Sequence, residues 1–594
     1  MIQSKLFQAE FNGCVITTFQ NTGDTKKQNG KCFREVDSST KEKQNPPLYH
    51  NATKTECDGR WSCSGVILNR QLGIVLCHGS IFLPFLKQRT QCVSWTDRDV
   101  LLADEFQEDL VIQVECSVGP RATAKTEGSF NNESLDGRPG LGLIPMSNKT
   151  IPKMGQKQLE GQLLMLVACP EFQKAFSHLY SKTEGWVFSS EEEKKEYGEL
   201  QKDLAYLQWF AVLKMPGPLA KIHDNVRFTH ASKLLKGSTV YACGSPFGSF
   251  YPDIFLNAIS KGVLSNVSGD QNVVLLTDAR CLPGSEGGGI YSVEQGILCL
   301  VGIIVAPLCW KSNEWVGLTL ACSVSHILHN IIKTFGKTGM SFQSDLKPLI
   351  PMENCVTDLK TNPGPAAGLA ASVVLVDSGP VWGSGVLLNE NIVLTCRHVI
   401  RGASKVTVKI RSSTNEKYRA IKAQVVFSSE EASPYDIAIV ELEEFFTENP
   451  QPVLASGCCV GEDVLIIGYG AFGERSGPSV TSGILSGIIS VGDTPVMLQT
   501  TCAVHGGSSG GPLFTAQSGE LLGIVASNTR DNSTGATYPH LNFCIPVSVF
   551  QDALHKYTEH GDLRAFQELN KASHSVRNAW RLQRKPERSI PSKL

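Results

Sequence analysis

Short apolar runs recur along the chain between turns rich in Gly, Asn, Ser and Pro. Residues 65–77 (GVILNRQLGIVLC), 237–244 (GSTVYACG), 405–410 (KVTVKI), 436–442 (DIAIVEL) and 462–470 (EDVLIIGYG) all have this form. Closely spaced β-rich runs predict strands of barrels or sandwiches, not βαβ units. The most apolar stretch is ILCLVGIIVAPLCW at 297–310. It falls short of the ~20 apolar residues that cross a bilayer, so it predicts a buried strand. Polar segments at 22–50, 117–160 and 181–203 interrupt the pattern and read as insertions, and 351–367 reads as a linker. From 547 the pattern turns helical (VFQDALHKY), and 556–594 reads as a polar tail.

The pattern repeats. SGVILNRQLGIVLCH at 64–78 matches SGVLLNENIVLTCRH at 384–398, which sets His78 against His398. YACGSPFG (241–248) matches LIIGYGAFG (465–473), and AISKGVLSNV (258–267) matches VTSGILSGII (480–489). LPGSEGGGIY (282–291) matches HGGSSGGPLF (505–514), and GILCLVGIIVAP matches GELLGIVASN. Five pairs in one order indicate a tandem duplication. The first copy lies in 1–350 and the second in 368–555.

Candidate chemistry separates the copies. A serine nucleophile needs an adjacent base, a carboxylate that orients the base, and backbone N–H groups facing the developing oxyanion. The second copy offers Ser509 in GGSSGGP, His398 in IVLTCRHVI and Asp436 in SPYDIAIVEL. Their His…Asp…Ser order is that of chymotrypsin-like enzymes, not of α/β-hydrolases. The expected oxyanion donors are the N–H groups of Gly507 and Ser509. Ala503, Ala526, Ser527 and Asn528 are expected to line the substrate pocket, which is small and not acidic. His505 is read as a loop or pocket-wall residue, not as the base. In the first copy Glu286 stands at the nucleophile position. Trp209 matches Asp436 best, although Asp203 lies nearby. Residues 60–335 are therefore expected to be a pseudoprotease with a degenerate site at His78 and Glu286.

Composition adds limits. A formal net charge of −2 in 594 residues gives no basis for nucleic-acid binding. The N-terminus lacks the basic and apolar regions of a secretory signal. The 19 cysteines show neither disulfide-frame nor zinc-ligand spacing, so free or buried thiols are expected, with no metal and no cofactor. The final Ser592-Lys593-Leu594 reads as a peroxisomal address.

GSGVLLNENIVLTCRHVI, DIAIVEL, VTSGILSG and QTTCAVHGGSSGGPLF resemble the HtrA/Deg branch of trypsin-like serine proteases, Gln499-Thr500 included. The resemblance covers about 370–550 well and about 60–335 in weaker form. The segment after 550 is too short for the PDZ domain usual in that branch. With its duplication and SKL ending, the chain resembles the peroxisomal members. The resemblance implies an all-β fold of tandem chymotrypsin-like double β-barrels, the first copy degenerate. It implies a serine endopeptidase of the peroxisomal matrix that trims leader peptides of imported enzymes after cysteine and processes enzymes of fatty-acid β-oxidation. It also implies self-cleavage, and Cys116, at the start of the 117–160 insertion, is the candidate position. Protein substrates, the import receptor reading Ser592–Leu594 and a second copy of the chain are the expected partners, with no membrane span. A non-proteolytic Deg-like chaperone or adaptor is the alternative.

Overall fold

A computed structural model describes residues 3–21, 54–55, 59–87, 95–120, 154–180, 186–188, 205–217, 226–247, 252–307, 309–311, 314–338, 365–412, 417–530 and 537–581. The second copy forms two closed six-stranded barrels. The first runs from Val373–Asp377 to Ala438–Leu442 and the second from Asp463–Gly468 to Thr537–Pro546. The alternation seen in sequence decides which way each strand faces. In Lys405–Arg411, Val406, Val408 and Ile410 are buried while the residues between them face outward.

The first copy keeps the strand pairing of this plan. Its second barrel closes as Thr239–Gly244, Ala258–Ser268, Val274–Thr277, Thr319–Ser323, Ile297–Ala306 and Gly289–Glu294. The apolar run at 297–310 supplies the strand Ile297–Ala306, which is buried from Leu298 onward. The first barrel closes in the same cycle: Leu110–Pro120 pairs with Gly13–Gln20 and with Met154–Glu160, which runs on through Gly161 into Gln162–Ala168 beside Trp209–Lys214; Val100–Leu102 adds an extra edge on Gln162–Ala168. The ends of the expected 117–160 insertion are therefore strand, and only the part between them lies outside the described residues. Cys116 is fully buried in Leu110–Pro120, opposite Cys14 on one side and Lys157 on the other. It belongs to a three-strand pairing, not to an exposed loop.

The copies pack on each other. Asn266 Nδ2 donates to Ser479 Oγ at 2.8 Å, and Lys236 Nζ to the Pro478 carbonyl at 3.0 Å. Asp278, 6% exposed, accepts from the Ser482 N–H, from Ser482 Oγ at 3.0 Å and from the Val263 N–H at 2.6 Å. Val263 belongs to the core of the second copy, while Ala471 and Phe472 belong to the core of the first.

The polar tail expected from 556 is ordered through Arg581 and packs on the second copy. Helix Val547–His560 continues past 556. Beyond it, the LRAFQELN turn puts Ala565, Phe566 and Leu569 on one buried face. Phe566 stacks on Phe427 at 5.4 Å, and Trp580 Nε1 donates to the Val496 carbonyl at 3.0 Å. Ser592, Lys593 and Leu594 lie outside the described residues, as do 22–50 and most of 181–203. No helix among the described residues is long and apolar enough to cross a membrane.

Candidate active site

Strands Ile392–Thr395 and Ala438–Leu442 are antiparallel neighbours, with Thr395 opposite Ala438. The residues just beyond this end of the pair are His398 and Asp436, so strand register brings them together. His398 is the second residue of a one-turn helix, Arg397–Ile400, that Arg401 ends with φ 45°. Both Asp436 oxygens are occupied: Oδ1 accepts the His398 N–H at 3.0 Å, and Oδ2 meets His398 Nδ1. Arg397 Nε lies 3.9 Å from Oδ1. Burial opposes ionisation of Asp436. The ring and backbone bonds of His398 and the charge of Arg397 outweigh it and hold the carboxyl below its ordinary range. With Nδ1 engaged, Nε2 is the ring nitrogen left for chemistry.

Ser509 sits in the loop between Thr494–Thr500 and Pro512–Thr515. Two features shape that loop. Ser384 ties the carbonyls of Gly507 and Ser509 inward, through Oγ at 2.8 Å and N–H at 2.9 Å. The His505–Ser508 turn closes with the Ser508 N–H on the His505 carbonyl at 3.0 Å, and Gly507 has φ 92°, the signature of a type II turn. A Cβ at Gly507 would lie 2.5 Å from the Trp382 ring, so only glycine fits there. Among the described residues Ser509 Oγ has no hydrogen-bond partner.

Ala503 and Ala526 are buried, and Ser527 and Asn528 are half-buried on strand Leu521–Arg530. His505 is 5% exposed, and its Nδ1 accepts the Ala471 N–H at 2.9 Å. Burial lowers its pKa to about 4, so it stays neutral, as an acceptor nitrogen requires. It anchors a loop, the first of the two roles expected for it; its partner Ala471 gives no sequence signal.

The first copy repeats the nucleophile loop bond for bond. Ser64 ties the Gly284 carbonyl through Oγ at 2.7 Å and the Glu286 carbonyl through its N–H at 2.8 Å. Gly284 has φ 94°, and the Ser285 N–H closes the same turn on Leu282 at 3.0 Å. Glu286 therefore occupies the position of Ser509. Its carboxylate accepts the Gly284 N–H at 2.7 Å, so in this copy the turn's N–H faces the nucleophile position and that seat is filled. Burial pushes the Glu286 pKa up to about 7.

The match of His78 to His398 does not hold. Val66 faces Leu76 as Val386 faces Leu394, and Val212 faces Leu76 as Ile439 faces Leu394. This register places His78 on Cys396, Ser80 on His398 and Trp209 on Asp436. The cause is a turn two residues longer in NRQLG than in NEN. His78 is buried, bonds Ser80 Oγ at 2.9 Å and the Leu207 carbonyl at 3.2 Å, and is lowered to about 4 by burial. Trp209 is fully buried.

Cys396, His398 and Asp436 bring donor atoms within 4.8 Å of one another. They fit a metal poorly. Nδ1 is committed to the carboxylate, Cys396 Sγ lies 3.2 Å from the Val525 carbonyl, and burial keeps that thiol protonated.

Comparison with known proteins agrees with this architecture. Residues 383–524 match the family model of the trypsin-like peptidase domain. The chain is 46% identical to the peroxisomal leader peptide-processing protease of Mus musculus, over 90% of this chain and 95% of that protein. Identity to the Homo sapiens protein of the same name is 44% over the same shares. A probable periplasmic serine protease do/HhoA-like of Haemophilus influenzae is 34% identical over 31% of this chain and 38% of its own length.

Proposed function

The chain belongs to the family of peroxisomal leader peptide-processing proteases, trypsin-fold serine endopeptidases, and from that premise we propose that His398, Asp436 and Ser509 perform its chemistry. Ser509 Oγ attacks the scissile carbonyl while His398 Nε2 takes its proton. Asp436 holds the ring in the required tautomer and stabilises the imidazolium. The N–H groups of Gly507 and Ser509 receive the oxyanion. His398 then protonates the leaving amine, and water, activated by the same base, releases the acyl group. The observation that carries this reading is the pair of hydrogen bonds joining His398 to Asp436, with Cys396, two residues before His398, packed on Gly510 next to Ser509.

The substrates proposed are leader peptides of imported peroxisomal enzymes, those of fatty-acid β-oxidation among them, cut after cysteine. Ala503, Ala526, Ser527 and Asn528 are proposed as the pocket walls; all are small or neutral, which suits such a side chain. Recognition of Ser592-Lys593-Leu594 by the import receptor and self-association of the chain belong to the same proposal. So does self-cleavage at Cys116, which requires strand Leu110–Pro120 to open first.

The test compares wild type with Ser509→Ala on a cysteine-containing leader peptide. The variant should lose about 10⁴–10⁶ in rate. Full activity in Ser509→Ala would sink the assignment. Inactive wild type that still suppresses aggregation of unfolded clients would favour the chaperone reading.

A further inference from the structure

The second copy contributes two residues to a core that is not its own. Phe472 is 2% exposed. It stacks on Trp186 at 5.3 Å with the rings 10° apart, and meets Tyr180 edge-on at 5.8 Å. Lys311, also of the first copy, donates from Nζ to the Ala471 carbonyl at 2.6 Å and lies 5.0 Å from the Trp186 ring. The loop captured in this way, Gly470–Ser476, presses directly on the nucleophile loop. The Ala471 N–H donates to His505 Nδ1 at 2.9 Å, and Phe472 meets the His505 ring at 6.5 Å. A Cβ on Gly470 would lie 2.0 Å from that imidazole. His505 in turn supplies the carbonyl that closes the turn presenting Gly507.

We infer that the degenerate copy is a built-in activating platform: it seats Phe472 and Ala471, and through His505 it fixes the turn that presents the Gly507 N–H to the reacting carbonyl. Phe472, Lys311 and His505 are positioning residues; none needs to touch substrate. The aromatic seat gives the loop one defined position, because a flat ring held between Trp186 and Tyr180 cannot shift without leaving apolar surface exposed. The inference rests on the proposed role of the Ser509 loop.

The test uses the full chain with Phe472→Ala, Phe472→Tyr and Lys311→Met, reading Ser509-dependent cleavage together with amide hydrogen exchange over 505–509. Outright loss of one oxyanion donor costs about 10²–10³ in kcat. Phe472→Ala should therefore lower kcat by about 10-fold or more with KM within about twofold. Lys311→Met, which keeps its stem on Trp186, should lower kcat less, and Phe472→Tyr should restore most of the activity. Exchange at 505–508 should quicken in the order of the kcat losses, while the melting temperature of the second copy stays put. Unchanged kcat in Phe472→Ala and Lys311→Met overturns the platform, and so does a loss matching only the fraction unfolded. If wild type shows no Ser509-dependent cleavage, the functional reading fails, and the exchange measurement still decides. Unaltered protection in Phe472→Ala then removes the platform as well.

Discussion

Glu286 holds, in the first copy, the loop position that Ser509 holds in the second. Its carboxylate takes the Gly284 N–H, the counterpart of the Gly507 N–H. The folded state raises its pKa from 4.5 to about 7 through burial. Below pH 4.5 both folded and unfolded chains hold the proton. As pH rises toward 7 the unfolded chain releases it first, so this contribution to stability is lost across that interval. Glu286→Gln keeps the bond to Gly284 without the charge. Urea melts should show the variant gaining on wild type from about pH 4.5 to 7 and holding its lead above. Glu286→Ser, in contrast, should restore no cleavage in a Ser509→Ala background, because Ser80 and Trp209 stand where base and carboxylate would be. The missing nucleophile was legible from GSEGGG alone. The missing base was not: the sequence offers a histidine at matching spacing, and only strand pairing shows that it belongs two positions earlier in the repeat. The meeting of Asp436 with His398 was legible because each sits beside a strand whose apolar pattern is strong. The loop role of His505 was legible but its partner was not, since Ala471 is distant in sequence and has no side-chain chemistry.

Among the elements, the barrels of the second copy follow directly from period-two patterning and Gly-rich turns. The C-terminal segment did not read correctly, because a short helical turn with three apolar residues looks polar until something packs against it. That segment reaches the loop carrying Asp436. Ser433 Oγ donates to the Leu569 carbonyl at 2.8 Å, the Glu430 N–H to Asn570 Oδ1 at 2.8 Å, and the Tyr435 ring meets Trp580 at 6.1 Å. Phe566, with no exposed surface, is its main anchor. Phe566→Ala should destabilise the second copy by about 3–5 kcal/mol, measured by denaturant unfolding. The full length of the strands in the first barrel of the first copy was equally hidden. Leu110–Pro120 and Met154–Glu160 pair with each other, but the polar segment between them masks their pattern.

At the scale of the molecule, Asp278 ties the two copies by accepting from both donors of Ser482. Asp278→Asn turns one acceptor into a donor facing an N–H group, and should cost about 1–3 kcal/mol. A chain nicked within 351–364 should still elute as one particle in gel filtration, whereas the nicked Asp278→Asn chain should begin to separate. Duplication was legible from five ordered motif pairs; the shared cores were not, since Phe472 carries no mark of the half it serves. The burial of Cys116 also changes what a cut at that position would achieve. The strands before it and the strands Met154–Glu160, Gln162–Ala168 and Trp209–Lys214 after it belong to one hydrogen-bonded sheet. Severing the backbone there would leave the fragments held as a non-covalent pair, distinct on a denaturing gel and inseparable under native conditions. Scission would then act as a permanent timestamp on the molecule, dating its first turnover without dismantling it.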